Sequence, residues 1–419
     1  MPVTLYTALV PIETPTEIQS FLDEVDAFIE TAIEPLEAEH PEYFDYRREH
    51  ARTNWDDGGV PREEWEELLA EQRRRADEAG IYRYALPEEL GGRGGTNLGM
   101  AYAREHLAKR GVGLHNVLQQ EAAIVGNFPI SQILHEYGSA EQREMVEDVI
   151  ARETVVAFGL TEPDHGSDAT WMDTTATKDG DEWVLNGTKR WNSGMHVADY
   201  DLVFARTDGE DGDHVGITAF LVPTEADGLD IERFWWTFNM PTDHAEVVFD
   251  DVRVPDSAIV GEEGHGLRLA QHFLHENRIR QAASSLGAAQ YCIDESVAYA
   301  NERETWGEPL STRQAIQFPL AELQTEAEML RALVRKVAAM LDHEDQLAVS
   351  DKVSMANWYA NNLVCRAADR AIQVHGGMGY SRAKPFEHIY RHHRRYRITE
   401  GSEEIQKRRI AGHLFGFIG

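Results

Sequence analysis

The stretch Tyr396–Ile410 reads YRITEGSEEIQKRRI and carries three carboxylates, Glu400, Glu403 and Glu404. They are not equivalent. Glu400 falls in a short ITEG link between two helical patterns, and Ser402 is placed to cap the second, EEIQKRRIAGHLF. The Glu400 carboxylate is therefore outside the helix, free to project into a cleft, where burial would raise its pKa toward that of a working general base. Gly401 lets the chain pass close to a ligand. Glu403 and Glu404 lie in the first helical turn, where the helix dipole alone favours acidic residues.

Two further groups of residues have types suited to binding. Arg303, in RETWG, sits at the end of a helical pattern in a turn, where a planar guanidinium suits two-pronged contact with phosphate. Gly376 and Gly377, after Gln373 in QVHGGMGY, either cap a helix or admit a ligand to the backbone, and the two readings are compatible. In the middle of the chain, Phe158–Thr161 offers backbone groups and a hydroxyl at the end of an apolar strand pattern. Ser193 offers a second hydroxyl, two residues after Trp191. Trp183 reads as a core aromatic of a hairpin.

Several chemistries have no carrier. There is no HExxH, no GxxxxGK[ST], no GxSxG, and no GxGxxG opening a βαβ unit. Cys292 and Cys365 lie far apart in helical patterns and read as packing residues rather than zinc ligands. The run RHHRRYR (Arg391–Arg397) reads as the basic, solvated face of a helix in preference to a metal or phosphate patch.

The elements that must position these groups fall into three textures. Up to about residue 156, EIQSFLDEVDAFIETAIEPLEAEH and REEWEELLAEQRRRADEAG repeat apolar residues at three- and four-residue spacing. From 157 to 258 the period is two, with DG and NG turns in DTTATKDGDEWVLNGTKRW. From 259 to 419 long helical patterns return. The expected architecture is α+β and multidomain: 1–156 all-α, 157–258 β, 259–419 α. The opening MPVTLYTALVPIETP has no basic region ahead of its apolar residues, so no secretory signal is expected, and no apolar run reaches membrane-spanning length. With 73 Asp and Glu against 40 Lys and Arg, the formal charge is −33, spread along the chain. A field of that sign repels nucleic acid and anionic membrane, and fits a protein of a salt-rich cytoplasm.

Taken in order, these motifs resemble the acyl-CoA dehydrogenases. The resemblance rests on Gly159, Leu160, Thr161 and Glu162 leading to Gly166, Ser167 and Asp168, then on NGTKRWNSG (Asn186–Gly194). It continues through NERETWG (Asn301–Gly307), QAIQFPLAEL, QVHGGMGY (Gln373–Tyr380) and RITEGSEEIQ, along nearly all of the chain. It implies a helical N-terminal domain, a central β-barrel or sandwich, and a C-terminal four-helix bundle.

The resemblance also implies FAD, with hydrogen-bond donors along the flavin edge and small residues near the ring. Phe158, Leu160, Thr161, Ser167, Trp191 and Ser193 would receive the flavin, Ser193 standing where the family usually has threonine. Arg303, Trp306 and Gln314 would serve the FAD of a neighbouring subunit, facing Gln373, Gly376 and Gly377, with Ser402 and Glu404 also assigned to the cofactor. Arg278 matches an arginine of the CoA-binding cleft and joins Ser167 and Gly401 on the substrate. Asn277 occupies a slot where some relatives carry a glutamate base, and an amide cannot abstract a proton. Glu400 is the implied base for the α-proton of an acyl-CoA thioester. Bulky His165 and Trp171 stand where the family pattern is small and bear on the acyl group. Electron-transferring flavoprotein is the implied partner, and a homodimer or homotetramer the implied assembly. The alternatives are an oxygen-using oxidase on the same scaffold, or a nucleic-acid-binding branch that the net charge opposes.

The charge carries its own prediction. Dialysis from molar salt into dilute buffer should unfold the protein, because self-repulsion rises as screening falls. Circular dichroism that stays unchanged through the dialysis would remove the high-salt interpretation.

Overall fold

The computed structural model describes residues 13–118 and 124–417, and within the helix at 266–302 it leaves the side chains of 272–275 aside. The opening segment MPVTLYTALVPI, read above for a secretory signal, lies outside the described residues. The chain divides into two compact units. A helical unit takes in residues up to Arg48, Glu67–Asn127 and His275 onward; a β unit takes in Glu49–Glu66 and Phe128–Leu274.

The principal helices of the N-terminal part are α1 (Thr16–Phe28), α2 (Glu63–Glu78), α3 (Asn97–Lys109) and α4 (Pro129–Tyr137). Eight strands follow: β1 (Val156–Gly159), β2 (Thr175–Asp179), β3 (Glu182–Ser193), β4 (Tyr200–Arg206), β5 (Ile217–Pro223), β6 (Leu229–Phe234), β7 (His244–Pro255) and β8 (Ile259–Val260). The principal helices of the C-terminal part are α5 (Gly266–Glu302), α6 (Gln314–Leu341), α7 (Ser350–His375), α8 (Phe386–Arg395) and α9 (Glu403–Phe415). This is the helix–β–helix order that the periodicity predicts.

The β unit centres on one mixed sheet in the order β8-β5-β4-β2-β3-β7-β6, with β1 pairing parallel to β4, and a separate two-stranded ladder joins Thr53–Asn54 to Val60–Pro61. Its two end strands do not pair with each other among the described residues, so the expected barrel is not closed. The strands β4 (YDLVFAR) and β5 (ITAFLVP) are buried almost throughout, as befits the middle of a sheet covered on both faces. Trp183 is in the core, as expected, and its indole N–H donates to Asp256 Oδ1 at 2.7 Å.

The helical unit is held by an alanine-rich seam. Ala282, Ala283, Leu286 and Ala289 of α5 meet Leu323, Ala327 and Leu330 of α6, Val353, Ala356, Ala360 and Val364 of α7, and Phe386 of α8. Small side chains let the helices approach closely, and each fully buried Leu or Val still contributes ~1.5–3 kcal/mol. Gly287 marks a close approach of α5 to α3, since a Cβ there would come within 2.2 Å of the Glu105 carbonyl oxygen. Both cysteines are buried within this seam and unpaired, as packing residues.

The reading of RHHRRYR as a solvated face is wrong. His392, His393 and Tyr396 are buried. His392 Nε2 lies 3.0 Å from Tyr396 Oη, and His393 Nδ1 lies 3.0 Å from Ser285 Oγ. Burial holds both imidazoles far below their ordinary pKa, His393 down to about 3, so they are neutral. No group of His, Cys, Asp and Glu among the described residues is arranged to hold a metal, and no described helix is long and apolar enough to cross a membrane.

Candidate active site

In the helical unit the structure builds a small, tightly held turn around Glu400. Residues 396–401 connect α8 to α9, and Ser402 caps α9 by accepting the Ile405 N–H on its hydroxyl. Glu400 has φ +58°, in the left-handed region, and Gly401 follows at φ +88°. A glutamate in that region costs about 1–3 kcal/mol and persists only where its surroundings fix it. They do. Arg278, on α5, donates from Nε and Nη2 to the Glu400 carbonyl oxygen at 2.8 and 2.6 Å. Gln406, on α9, donates from Nε2 to the carbonyls of both Glu400 and Gly401 at 3.0 Å.

Arg278 and Gln406 are both buried, and the Arg278 carbonyl accepts from Asn357 of α7 at 2.9 Å. Burial pushes the Arg278 pKa down to about 10, against the opposing pull of the Glu400 charge, so the guanidinium remains a cation at neutral pH. Gly401 leaves no room for more: a Cβ would meet Arg278 Nη2 at 3.2 Å. Asn277 is buried and accepts from Asn127 at 2.8 Å. Glu404 is exposed on the first turn of α9, and Glu403 is tied to Arg397 at 2.9 Å.

At the other end of α5, Arg303 and Trp306 lie in a tight turn closed by Leu310 N–H donating to Arg303 O at 2.7 Å. Trp306 has φ +54° and is 92% exposed. The Arg303 guanidinium is exposed and has no ion-pair partner among the described residues. Gln314 is exposed at the start of α6. Stacking of Tyr299 on His375, with centroids 4.3 Å apart, brings this turn beside the end of α7. There Gln373, Gly376 and Gly377 are exposed, and Cβ atoms added at the two glycines would meet nothing within 4 Å. An exposed guanidinium, an exposed indole and an open glycine cradle fit a ligand carrying phosphate and an aromatic ring.

In the β unit, the ends of β1 and β3 lie together. Arg190 N–H donates to Thr161 O at 2.8 Å, and Lys189 Nζ to Leu160 O at 3.2 Å. Trp191 sits at a bulge of β3 with φ +81° and its ring about half exposed. Ser193 is exposed beside it, and a Cβ at Gly194 would meet nothing within 4 Å. Phe158 is half-buried against Phe204. Ser167 is exposed in the turn after Thr161. Of the two departures from the family pattern, His165 pairs with Asp173 at 3.3 Å and Trp171 stands exposed near Gly212. An open indole face flanked by a hydroxyl and glycine fits the flat ring of a flavin.

Behind these strands is a buried polar cluster that sequence reading missed. Lys189 and Glu162 form an ion pair at 2.8 Å with almost no exposure. Burial pushes the Lys189 pKa down, Glu162 pulling against it. Burial would also raise the Glu162 carboxyl, but Lys189 and the N–H groups of Asp173 and Thr174 hold it below its ordinary value. Asn192 donates from Nδ2 to Asp201, and a Cβ at Gly159 would collide with both. The only signal in the sequence is a lone acid inside the apolar strand YDLVFAR.

The comparisons with known proteins follow the same three regions. Family models for the N-terminal, middle and C-terminal domains of acyl-CoA dehydrogenases match residues 15–153, 157–252 and 264–415. The chain belongs to the acyl-CoA dehydrogenase family. Its members are FAD-dependent oxidoreductases acting on the CH–CH group of acyl-CoA. The human mitochondrial short-chain specific acyl-CoA dehydrogenase is 36% identical over 347 residues, which is 82% of this chain and 82% of that protein. Among solved structures, butyryl-CoA dehydrogenase from Megasphaera elsdenii superposes with TM-score 0.79 at 28% identity, covering 97% of this chain and all of that one. An acyl-CoA dehydrogenase from Geobacillus kaustophilus does so with TM-score 0.78 at 26% identity, covering 96% and 99%.

The buried cluster generates a prediction. Burial raises the Asp201 carboxyl to about 7 from an ordinary 3.8, Asn192 and Lys189 opposing it. Between those two values the folded state holds a proton that the unfolded state has lost, so stability falls as pH rises through the window and levels off above it. Asp201→Asn removes that dependence. Its unfolding temperature relative to the unsubstituted protein should climb from pH 4.5 to pH 7.5. The gain is a few kcal/mol at most, since each tenfold change in proton affinity corresponds to ~1.4 kcal/mol. A calorimetric difference that is flat across this range would rule out a buried Asp201 that holds its proton.

Proposed function

We propose that the protein dehydrogenates an acyl-CoA thioester between its α and β carbons, giving a trans-2-enoyl-CoA. The observation that carries this reading is the Glu400 turn: a carboxylate residue held in a strained conformation by three N–H groups on its carbonyl oxygen. An α-proton of a thioester is a very weak acid, and its removal needs a base that is already positioned. Glu400 takes that proton on its carboxylate. Its backbone N–H donates to the thioester oxygen, where negative charge develops.

FAD, when bound, supplies the acceptor for the β-hydrogen as hydride. In the β unit Phe158, Leu160, Thr161, Ser167, Trp191 and Ser193 bind and orient the ring. In the helical unit Arg303 grips the pyrophosphate, with Trp306, Gln314, Gln373, Gly376, Gly377, Ser402 and Glu404 around the rest of the cofactor. Arg278, Gly401 and Ser167 are the residues assigned to substrate. Arg278 supports that assignment indirectly, by fixing the base rather than by reaching the thioester itself.

The reading divides the chain at 156 and 258, makes it a homodimer or homotetramer with shared FAD sites, and passes electrons to electron-transferring flavoprotein in a salt-rich cytoplasm. The relatives named for short-chain and butyryl substrates support a short acyl group.

Two experiments test this. Anaerobic addition of butyryl-CoA should bleach the flavin of the purified protein. Glu400→Gln should keep its yellow colour yet bleach ~10²–10⁴-fold more slowly, the range for loss of a general base. Near-normal bleaching of that variant would sink the assignment. Arg303→Ala should lose FAD and shift to smaller species together in gel filtration monitored at the flavin band. Retention of both would refute a cofactor site shared between subunits.

A further inference from the structure

The last residue of β3 and the first of β7 face each other across the sheet: Ser193 pairs with His244. Ser193 Oγ lies 2.9 Å from His244 Nδ1, and Asp243 Oδ1 lies 3.0 Å from the same ring nitrogen. Two oxygens therefore converge on one nitrogen. An unprotonated Nδ1 would set its lone pair against the Asp243 carboxylate at hydrogen-bond distance, which is repulsive. Nδ1 therefore carries the hydrogen and shares it between Asp243 and Ser193, a tautomer assigned from the network.

The consequence falls on Ser193. Its oxygen accepts from the imidazole, so its own hydroxyl hydrogen must point elsewhere. The remaining acceptor within reach among the described residues is the Trp191 carbonyl at 3.3 Å, too long to hold it well. Ser193 is exposed on the same bulge as the open face of Trp191, so its hydroxyl is left to donate outward, beside that face.

We propose that His244, tethered by Asp243, is a positioning residue that fixes the Ser193 hydroxyl as a hydrogen-bond donor toward a flavin bound at Trp191. This rests on the flavin reading given above. The charged groups nearest His244 fit the assignment. Asp243 precedes it on the chain, and Glu246, two residues on, is neutralised by Arg190 at 2.9 Å. The His244 backbone is itself anchored, its carbonyl accepting from Trp235 N–H at 2.9 Å. Loss of the imidazole would therefore change the hydroxyl and leave the strand in place.

The test uses the FAD-loaded protein and reads the visible flavin spectrum together with anaerobic bleaching by butyryl-CoA. His244→Ala and Ser193→Ala should shift the flavin bands to the same new position, and the double variant should shift them no further. Bleaching in His244→Ala should slow about tenfold, the effect of one lost hydrogen bond. His244→Asn places an amide N–H where Nδ1–H stood and should restore the original bands, which a general loosening of the strand would not allow. Unshifted bands in His244→Ala with FAD bound, or additive shifts in the double variant, would overturn this inference and leave the dehydrogenase reading intact. An unsubstituted protein that takes up no FAD would overturn both.

Discussion

A guanidinium buried as deeply as that of Arg278 has to place its N–H groups on acceptors, because a desolvated cation without hydrogen bonds costs several kcal/mol. Here two of those groups converge on one backbone carbonyl, that of Glu400. The arrangement ties three helices to a single peptide. Arg278 is on α5, its own carbonyl is held by Asn357 of α7, and Gln406 of α9 shares the Glu400 oxygen. The alanine-rich seam brings α5 and α7 close enough for Asn357 to bridge them. Packing and polar fixation are one device. The apolar seam sets the helix spacing, and the polar contacts convert that spacing into the position of one carboxylate residue.

The β unit solves a related problem with different means. Its site residues are at strand ends and on a bulge, where a single sheet gives little lateral support. Support comes from behind, where Lys189, Glu162, Asn192 and Asp201 are buried against Gly159. Ion pairs so deeply buried are poor sources of net stability. What they do supply is direction: Lys189 Nζ reaches both Glu162 and the Leu160 carbonyl, so the segment leading to Thr161 is fixed relative to β3. A hydrophobic replacement would fill the space without specifying that register.

The helix–β–helix order was legible because apolar periodicity reports which face is buried, and both helical patterns and the hairpins around DG and NG turns are strong. Glu400 was legible as a residue outside a helix because Ser402 marks the cap. The failures have one cause in common. RHHRRYR looks solvated because its residues are polar, but the amphipathic stripe of α8 turns His392 and His393 inward, where Ser285 and Tyr396 receive them. Gln406 and Asp201 were passed over because a polar residue in a helix or strand reads as surface. Sequence pattern assigns burial by hydrophobicity, so buried polar residues, whose partners stand on other elements, are invisible to it. The partner of Asp201 is Asn192, and that of Arg278 is the peptide of Glu400, 122 positions away. Closure of the sheet was equally unreadable, since strand count does not say which edges meet.

Backbone conformation offers a view of the site that is independent of both motif and packing. Among the described residues, five that are not glycine have positive φ: Arg152, Trp191, Asp251, Trp306 and Glu400. Four have local explanations. Arg152 ends the short helix at Val146–Ala151 in the left-handed conformation common to helix C-termini, and Asp251 lies in a β-bulge of β7, where Asn186 opposite bonds its N–H and carboxylate. Trp191 is itself the extra residue of a β-bulge, and Trp306 opens the two-residue turn between Glu304–Thr305 and Glu308–Pro309, so their positive φ has a local cause as well. Glu400, the assigned base, is the one of the five in neither a bulge, a two-residue hairpin turn nor a helix C-terminus. A bulky side chain in this region is unfavourable, and it persists only where neighbouring contacts over-determine it. For Glu400 the contacts that hold it there come from the buried side chains of Arg278 and Gln406, which place their N–H groups on its carbonyl oxygen.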